Sequence, residues 1–118
     1  MVESYRDLIV WQKSMDVVEE VYNVAKGFPA YERYGLWSQI TRAAVSIPAN
    51  IAEGSRRGSQ RDFAHFVAIA RGSLGEVETL LMLAVRLRYV TDRTASALLS
   101  DLTEISKMLR ALRTTLLR

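Results

Sequence analysis

The sequence predicts an all-α protein, an antiparallel up-and-down four-helix bundle with left-handed packing. Three observations carry this. Apolar residues recur in alternating steps of three and four along four segments, the seam of a helix packed nearly parallel to its neighbours. The links between segments are short, as in bundles whose consecutive helices run antiparallel. No stretch shows the strict apolar–polar alternation of a half-buried strand. With 118 residues, 49% of them apolar and 25% charged, the chain is one domain, spanning 1–118, that can bury its own core.

The first helix is expected over 7–27. Asp7 suits its N-terminus, where a carboxylate caps free N–H groups and complements the dipole. Leu8, Trp11, Met15, Val18, Tyr22 and Ala25 form its seam. Gly27, as a left-handed cap, and Pro29 end it. Phe28, Tyr31 and Tyr34 make the following connector too apolar for a free linker, so it is expected to cover one end of the bundle.

The second helix is expected over 36–57, with Leu36, Ile40, Ala43 or Ala44, Ile47 and Ile51 inward. Pro48 removes an N–H and crowds the carbonyl of Ala44, which predicts a kink. Gln39, Arg42, Ser46, Asn50, Glu53 and Arg57 form a polar stripe. This stripe reads as a hydrogen-bond network to Arg71, Glu76 and Glu78, or as a small-molecule or peptide site. Gly54 loosens or ends the helix.

The third helix is expected over 60–89, capped by Ser59 with Asp62 three residues on. Its seam is Phe63, Phe66, Ala70, Ser73, Val77, Leu80, Ala84 and Leu87. Gly72 and Gly75 in mid-helix cost about 1 kcal/mol each relative to Ala. They predict close approach of another backbone, with Ala43, Ala44, Ala49 and Ala52 facing them. The fourth helix is expected over 92–117, capped by Thr91, with Ala95, Leu98, Leu102, Ile105, Leu109, Leu112 and Leu116 inward.

Composition narrows the chemistry. There is no Cys and a single His. Disulfides and Cys-ligated metals are excluded, and one His with Asp62 three residues before it falls short of the Glu and Glu-x-x-His set of a di-iron bundle. Gly72-Ser73-Leu74-Gly75 lacks the strand–turn–helix setting of a nucleophile elbow. Gly54-Ser55-Arg56-Arg57-Gly58 lacks the lysine and strand of a phosphate loop. No catalytic, cofactor or metal site is expected, and the protein is read as a non-enzyme. The N-terminus does not resemble a signal peptide, and no apolar run is long enough to span a bilayer. A cytoplasmic protein without membrane contact is therefore expected.

Net charge is +3, and thirteen of the sixteen bases are Arg, the side chain suited to phosphate and carboxylate. Residues 1–32 sum to −3 and residues 33–118 to +6. Arg56, Arg57 and Arg61, with Lys107, Arg110, Arg113 and Arg118, are the candidate nucleic-acid contacts. A solvated surface with charges matched to the helix dipole is the other reading. Ile9, Val17, Val21, Trp37, Val45, Val67, Leu81 and Leu99 exceed one stripe per helix, which predicts a second buried face and a homo-oligomer.

Three segments carry a family likeness: Tyr5-Arg6-Asp7-Leu8-Ile9-Val10-Trp11-Gln12; Phe28-Pro29-x-x-Glu32-x-x-Gly35-Leu36-x-x-Gln39-Ile40; and Arg42 to Gly54 with Ser46, Pro48, Asn50 and Glu53. Gly72-Ser73-Leu74-x-Glu76-x-Glu78-Thr79 extends it. Together they resemble the bacterial family of 23S rRNA intervening-sequence proteins, also called the S23 ribosomal protein family. The likeness implies a four-helix bundle that assembles as a homopentamer. It also implies kinship with the accessory variability protein of diversity-generating retroelements, a basic pentameric barrel that works with a reverse transcriptase and RNA. The family name reflects a genomic location and implies no catalytic residue. RNA, or an RNA-binding protein, is the partner the likeness suggests. The alternative is a structural, protein-binding oligomer.

Overall fold

A computed structural model describes residues 4–118. Four helices make up the fold: α1 (Ile9–Ala25), α2 (Leu36–Ser55), α3 (Gln60–Arg86) and α4 (Asp92–Leu116), with short 3-10 turns at Tyr5–Asp7 and Ala30–Glu32. There is no strand among the described residues. The body measures 43 × 25 × 19 Å. Its long axis matches α3, since 27 residues at about 1.5 Å each give about 40 Å. No helix among the described residues is long and apolar enough to cross a membrane.

Contacts show the helix directions. Ser46 of α2 meets Ser73 of α3, while Gly54, later in α2, lies against Phe63 and Phe66, earlier in α3. Lys13 of α1 reaches Glu104 of α4. α2 and α3 therefore run antiparallel, as do α1 and α2, where Tyr22 late in α1 meets Trp37 early in α2; α3 and α4, joined by a short turn, fit within 43 Å only by folding back. The start of α1, the α2–α3 turn and the end of α4 share one end of the bundle. The α1–α2 connector and the α3–α4 turn share the other.

The inward stripes of α2 and α4 are those expected: Leu36, Ile40, Ala43, Ala44, Ile47 and Ile51, then Ala95, Leu98, Leu102, Ile105 and Leu109. That of α1 is rotated by one position. Val10, Ser14, Val17, Val21 and Ala25 are buried, whereas Met15 and Tyr22 are exposed. Ser14 enters the core because its hydroxyl donates to the carbonyl of Val10 at 2.6 Å, so no polar atom is left without a partner. In α3 the buried stripe is Ala64, Val67, Ala70, Leu74, Val77, Leu80, Leu81 and Ala84. Phe63 and Phe66 flank it and Leu87 is exposed. Four residues expected on a second face, Val17, Val21, Val67 and Leu81, are thus core.

The helix ends also depart from expectation. Ser4 caps the first 3-10 turn by accepting the N–H of Arg6, and α1 then starts at Ile9 with no side-chain cap. Gly27 is not left-handed. The left-handed cap is at Arg88, φ 65°, where the N–H of Tyr89 reaches the carbonyl of Ala84 at 2.9 Å and that of Arg88 reaches Val85 at 3.0 Å. This is the Schellman closure, and it stops α3 at Arg86.

Tyr89 then ties the two turns of that end together. Its hydroxyl donates to Glu32 Oε2 at 2.9 Å and lies 3.1 Å from the hydroxyl of Tyr31. The other oxygen of Glu32 accepts the N–H of Leu36 at 3.0 Å, capping α2 from four residues away. The hydrogen bond with Tyr31, burial and the Glu32 carboxylate hold the Tyr89 phenol well above its ordinary value near 10. A raised folded value means that the contribution is complete below about pH 10 and fades as pH climbs past it. Tyr89→Phe should accordingly melt earlier than the parent at pH 8. The gap should narrow by about pH 11.5, where the phenol of the unfolded parent is ionised while the folded one must still hold its proton. Melting curves at both pH values check this; a constant gap would refute it.

Candidate functional site

The polar stripe of α2 folds into a network with one unexpected partner. Ser46 Oγ pairs with Ser73 Oγ at 2.8 Å. Asn50 Nδ2 donates to both the carbonyl and the hydroxyl of Ser46 at 2.8 Å. Arg71, Glu76 and Glu78, the partners expected on α3, take no part. Gln39 and Arg42 are solvent-exposed, Pro48 is buried, and Glu53 pairs with Arg57 at 3.2 Å. The stripe is therefore a half-buried hydroxyl–amide clasp that sets the register of α2 on α3.

The three glycines of interest separate into two kinds. A Cβ on Gly54 would lie 2.6 Å from Phe66 Cβ and 3.3 Å from the carbonyl oxygen of Phe63, so α2 and α3 approach closely here. A Cβ on Gly72 or Gly75 would meet nothing within 4 Å. The expected apposition of Ala43, Ala44, Ala49 and Ala52 to these two glycines is not found. Instead, Ala68, Gly72, Gly75, Thr79 and Met82, in steps of 4, 3, 4 and 3, form a second stripe on the outside of α3. Ile69 and Leu83 flank it on one side with the exposed Glu76 between them, and none of the five stripe residues is charged. Of these, Ile69, Met82 and Leu83 are the large exposed apolars.

The basic residues gather by topology. Arg56, Arg57 and Arg61 surround the α2–α3 turn, and the last turns of α4 carry Lys107, Arg110, Arg113 and Arg118, all exposed and at the same end of the bundle. Lys107, Arg110 and Arg118 line a shallow cleft of about 380 Å³ with Ala111 and Thr114; Arg113 is not part of its lining. A larger cleft of about 490 Å³ lies between the N-terminal turn and the α2–α3 turn, lined by Ser4, Tyr5, Arg6, Leu8, Ser55, Arg56 and Phe63. The guanidiniums of Arg6 and Arg56 sit 5.0 and 5.7 Å from the centre of the Tyr5 ring. Tyr5 is in turn edge-on to Trp11, with ring centres 5.3 Å apart. Arg57 covers the ring of Phe66 at 4.7 Å.

Arg6, Tyr5 and Phe63 are not among the candidate nucleic-acid contacts read from sequence, where Phe63 is a seam residue and Tyr5-Arg6 part of the family likeness. Their signal lies in three-dimensional connectivity: an antiparallel bundle returns the α2–α3 turn to the start of the chain. Among the described residues neither Arg6 nor Arg56 forms an ion pair. Cations held over aromatic rings without a carboxylate can meet phosphate or carboxylate.

A groove of about 140 Å³ between α1 and α4 is lined by Lys13, Asp16, Glu20, Asp101 and Glu104. The ammonium of Lys13 is held above its ordinary value by its hydrogen bond to Glu104 at 2.6 Å. Both groups are exposed, so the bond contributes little to stability. Among the described residues, no group of three or more His, Asp or Glu is placed to hold a metal ion.

Comparison with known proteins bears on the whole chain. Residues 6–111 match the model of a family described as 23S rRNA-intervening sequence protein. A crystal structure from Bacteroides thetaiotaomicron VPI-5482, of a protein of unknown function from the S23 ribosomal protein family, superposes with a TM-score of 0.81 at 31% identity. It covers 89% of this chain and 98% of its own. No curated protein matches.

Proposed function

This chain belongs to the family of 23S rRNA-intervening sequence proteins, and from that premise we propose that it is a non-enzymatic, homo-oligomeric helical scaffold that presents Arg-rich bundle ends to RNA or to an RNA-bound protein. The observation that carries the reading is the outward stripe of α3. Two mid-helix glycines cost about 1 kcal/mol each, and among the described residues no neighbour uses the space they leave. A second copy packed on Ala68, Gly72, Gly75, Thr79 and Met82 gives that space an occupant and covers Ile69 and Leu83. We take the copy number as five, as the family likeness implies, and the compartment as the cytoplasm. Closing copies into a ring repeats the bases of each bundle end around one axis, which concentrates a field that +3 per chain does not produce alone.

Light scattering on the purified protein tests the assembly. A mass several times 13.3 kDa is expected, and 13.3 kDa itself would end the proposal. The double substitution Gly72→Ala with Gly75→Ala should raise the helix stability of the single bundle by about 1–2 kcal/mol, since neither new methyl meets anything within the chain. The same substitution should shift the scattering mass towards the monomer. RNA contact is tested by titrating a structured RNA at two salt concentrations, where affinity should fall steeply as salt rises. An assembly that binds no RNA at low salt leaves the structural, protein-binding oligomer as the function.

A further inference from the structure

We propose that the cleft between the N-terminal turn and the α2–α3 turn binds one unstacked nucleotide of a single-stranded nucleic acid. This rests on the RNA reading above and narrows it from a basic surface to a built subsite and a substrate class.

Four features of the cleft point that way. Its volume of about 490 Å³ lies within the range of small-molecule sites, about 300–1,000 Å³. Its wall is mixed: Tyr5, Leu8 and Phe63 give it apolar and aromatic surface that suits the face or edge of a base, beside the polar Ser4, Ser55, Arg6 and Arg56. Its cations, Arg6 and Arg56, lie over one ring. Tyr5 is itself braced by Trp11, so the ring that both guanidiniums share is held in place. Guanidinium planes bind phosphate and also stack on bases. Finally, Ser55, also in the lining, donates its hydroxyl hydrogen to the carbonyl of Ala52 at 2.9 Å, so its oxygen retains acceptor capacity.

The route out of the cleft continues the pattern. Arg57 over Phe66 is a second cation–aromatic pair one residue along the same turn, though paired with Glu53, with Arg61 beyond it as an exposed base. Aromatic and guanidinium platforms strung along a basic path are how proteins hold single strands, because every base has a face to stack. A duplex keeps its bases stacked inside and offers such a cleft only backbone. An acidic peptide could satisfy the two arginines but has no use for the aromatic wall.

The test is fluorescence anisotropy on the full-length protein with three probes: a labelled 12-mer oligouridylate, a blunt RNA duplex of equal length, and poly-glutamate. Single-stranded RNA should bind about tenfold or more tighter than the duplex. Arg6→Gln with Arg56→Gln should weaken single-strand binding about tenfold while changing duplex binding less than about threefold. Lys107→Gln with Arg110→Gln, outside the cleft, should lower both probes alike. Thermal melts of each variant show whether the bundle is intact. Tyr5→Phe keeps the ring and should retain binding. Trp11 supplies a second readout, since a base entering beside Tyr5 should change its emission with the single strand only. Equal loss of both probes in the cleft variant, or full competition by poly-glutamate, would overturn the nucleotide subsite while leaving RNA binding in place. Absence of binding by the parent protein to either RNA would overturn both.

Discussion

Gly54→Val is expected to destabilise the bundle by about 3 kcal/mol, at the upper end of overpacking costs, and to lower its melting temperature by about 12 °C. The reason is what the added carbon would strike. It arrives 2.6 Å from the Cβ of Phe66 and 3.3 Å from the backbone oxygen of Phe63. Neither can swing aside, because both are fixed to the first turns of α3. Relief requires α2 and α3 to move apart at the end where the basic cleft is built, so Arg56 and Phe63 should separate as well. Gly54→Ala meets the same atoms but recovers about 1 kcal/mol of helix propensity, so its loss should be nearer 1–2 kcal/mol. Chemical denaturation of both variants decides the matter; a Gly54→Val protein as stable as the parent would show that the helices are not in contact there.

Leu74→Ala should cost about 3–4 kcal/mol, with an unchanged or slightly reduced denaturant slope. Leu74 is 1% exposed and lies in a helix packed on both α2 and α4, so its loss leaves a void that neither neighbour can fill without giving up contact with the other. The setting makes the prediction sharp. Three consecutive residues face three different ways: Gly72 outward into open space, Ser73 onto Ser46 of α2, Leu74 into the core. Truncating Leu74 should be severe, whereas adding a methyl to Gly72 should stabilise the lone bundle. A series through these neighbours that showed one uniform effect would contradict the assignment of faces.

The four helices and their order were legible because each has a long apolar period and a visible start. Ser59 and Thr91 cap α3 and α4 as their sequences announce. Which face of α1 turns inward was not legible. Trp11, Met15, Val18 and Tyr22 form a larger apolar stripe than Val10, Val17 and Val21, and the true stripe is interrupted by Ser14. A hydroxyl that bonds to its own helix can be buried at little cost, and in sequence it looks like surface. Thr41 does the same in α2, donating to the carbonyl of Trp37 at 2.8 Å. The end of α3 was hidden for another reason. A left-handed residue is expected to be Gly or Asn, and here Arg88 occupies the position, with the backbone bonds of Tyr89 and Arg88 holding the turn.

The basic residues of the candidate site were visible as letters, but their grouping was not. Arg56 and Arg57 stand out by repetition. Arg6 is fifty residues away and becomes their neighbour only because α1 and α2 run in opposite directions. Gly72 and Gly75 show the opposite case. The sequence reads them as places where α2 approaches, and among the described residues nothing approaches either.

That last feature has a thermodynamic corollary. A helix that keeps two glycines in open solvent is less stable alone than it could be, by roughly 2 kcal/mol relative to alanine. In the proposed assembly, docking a second copy would be linked to folding by mass action. The melting temperature of this protein should then climb with its own concentration. Dilution would weaken the bundle itself as well as the contacts between copies, so the amount of protein made would govern how well each copy stays folded.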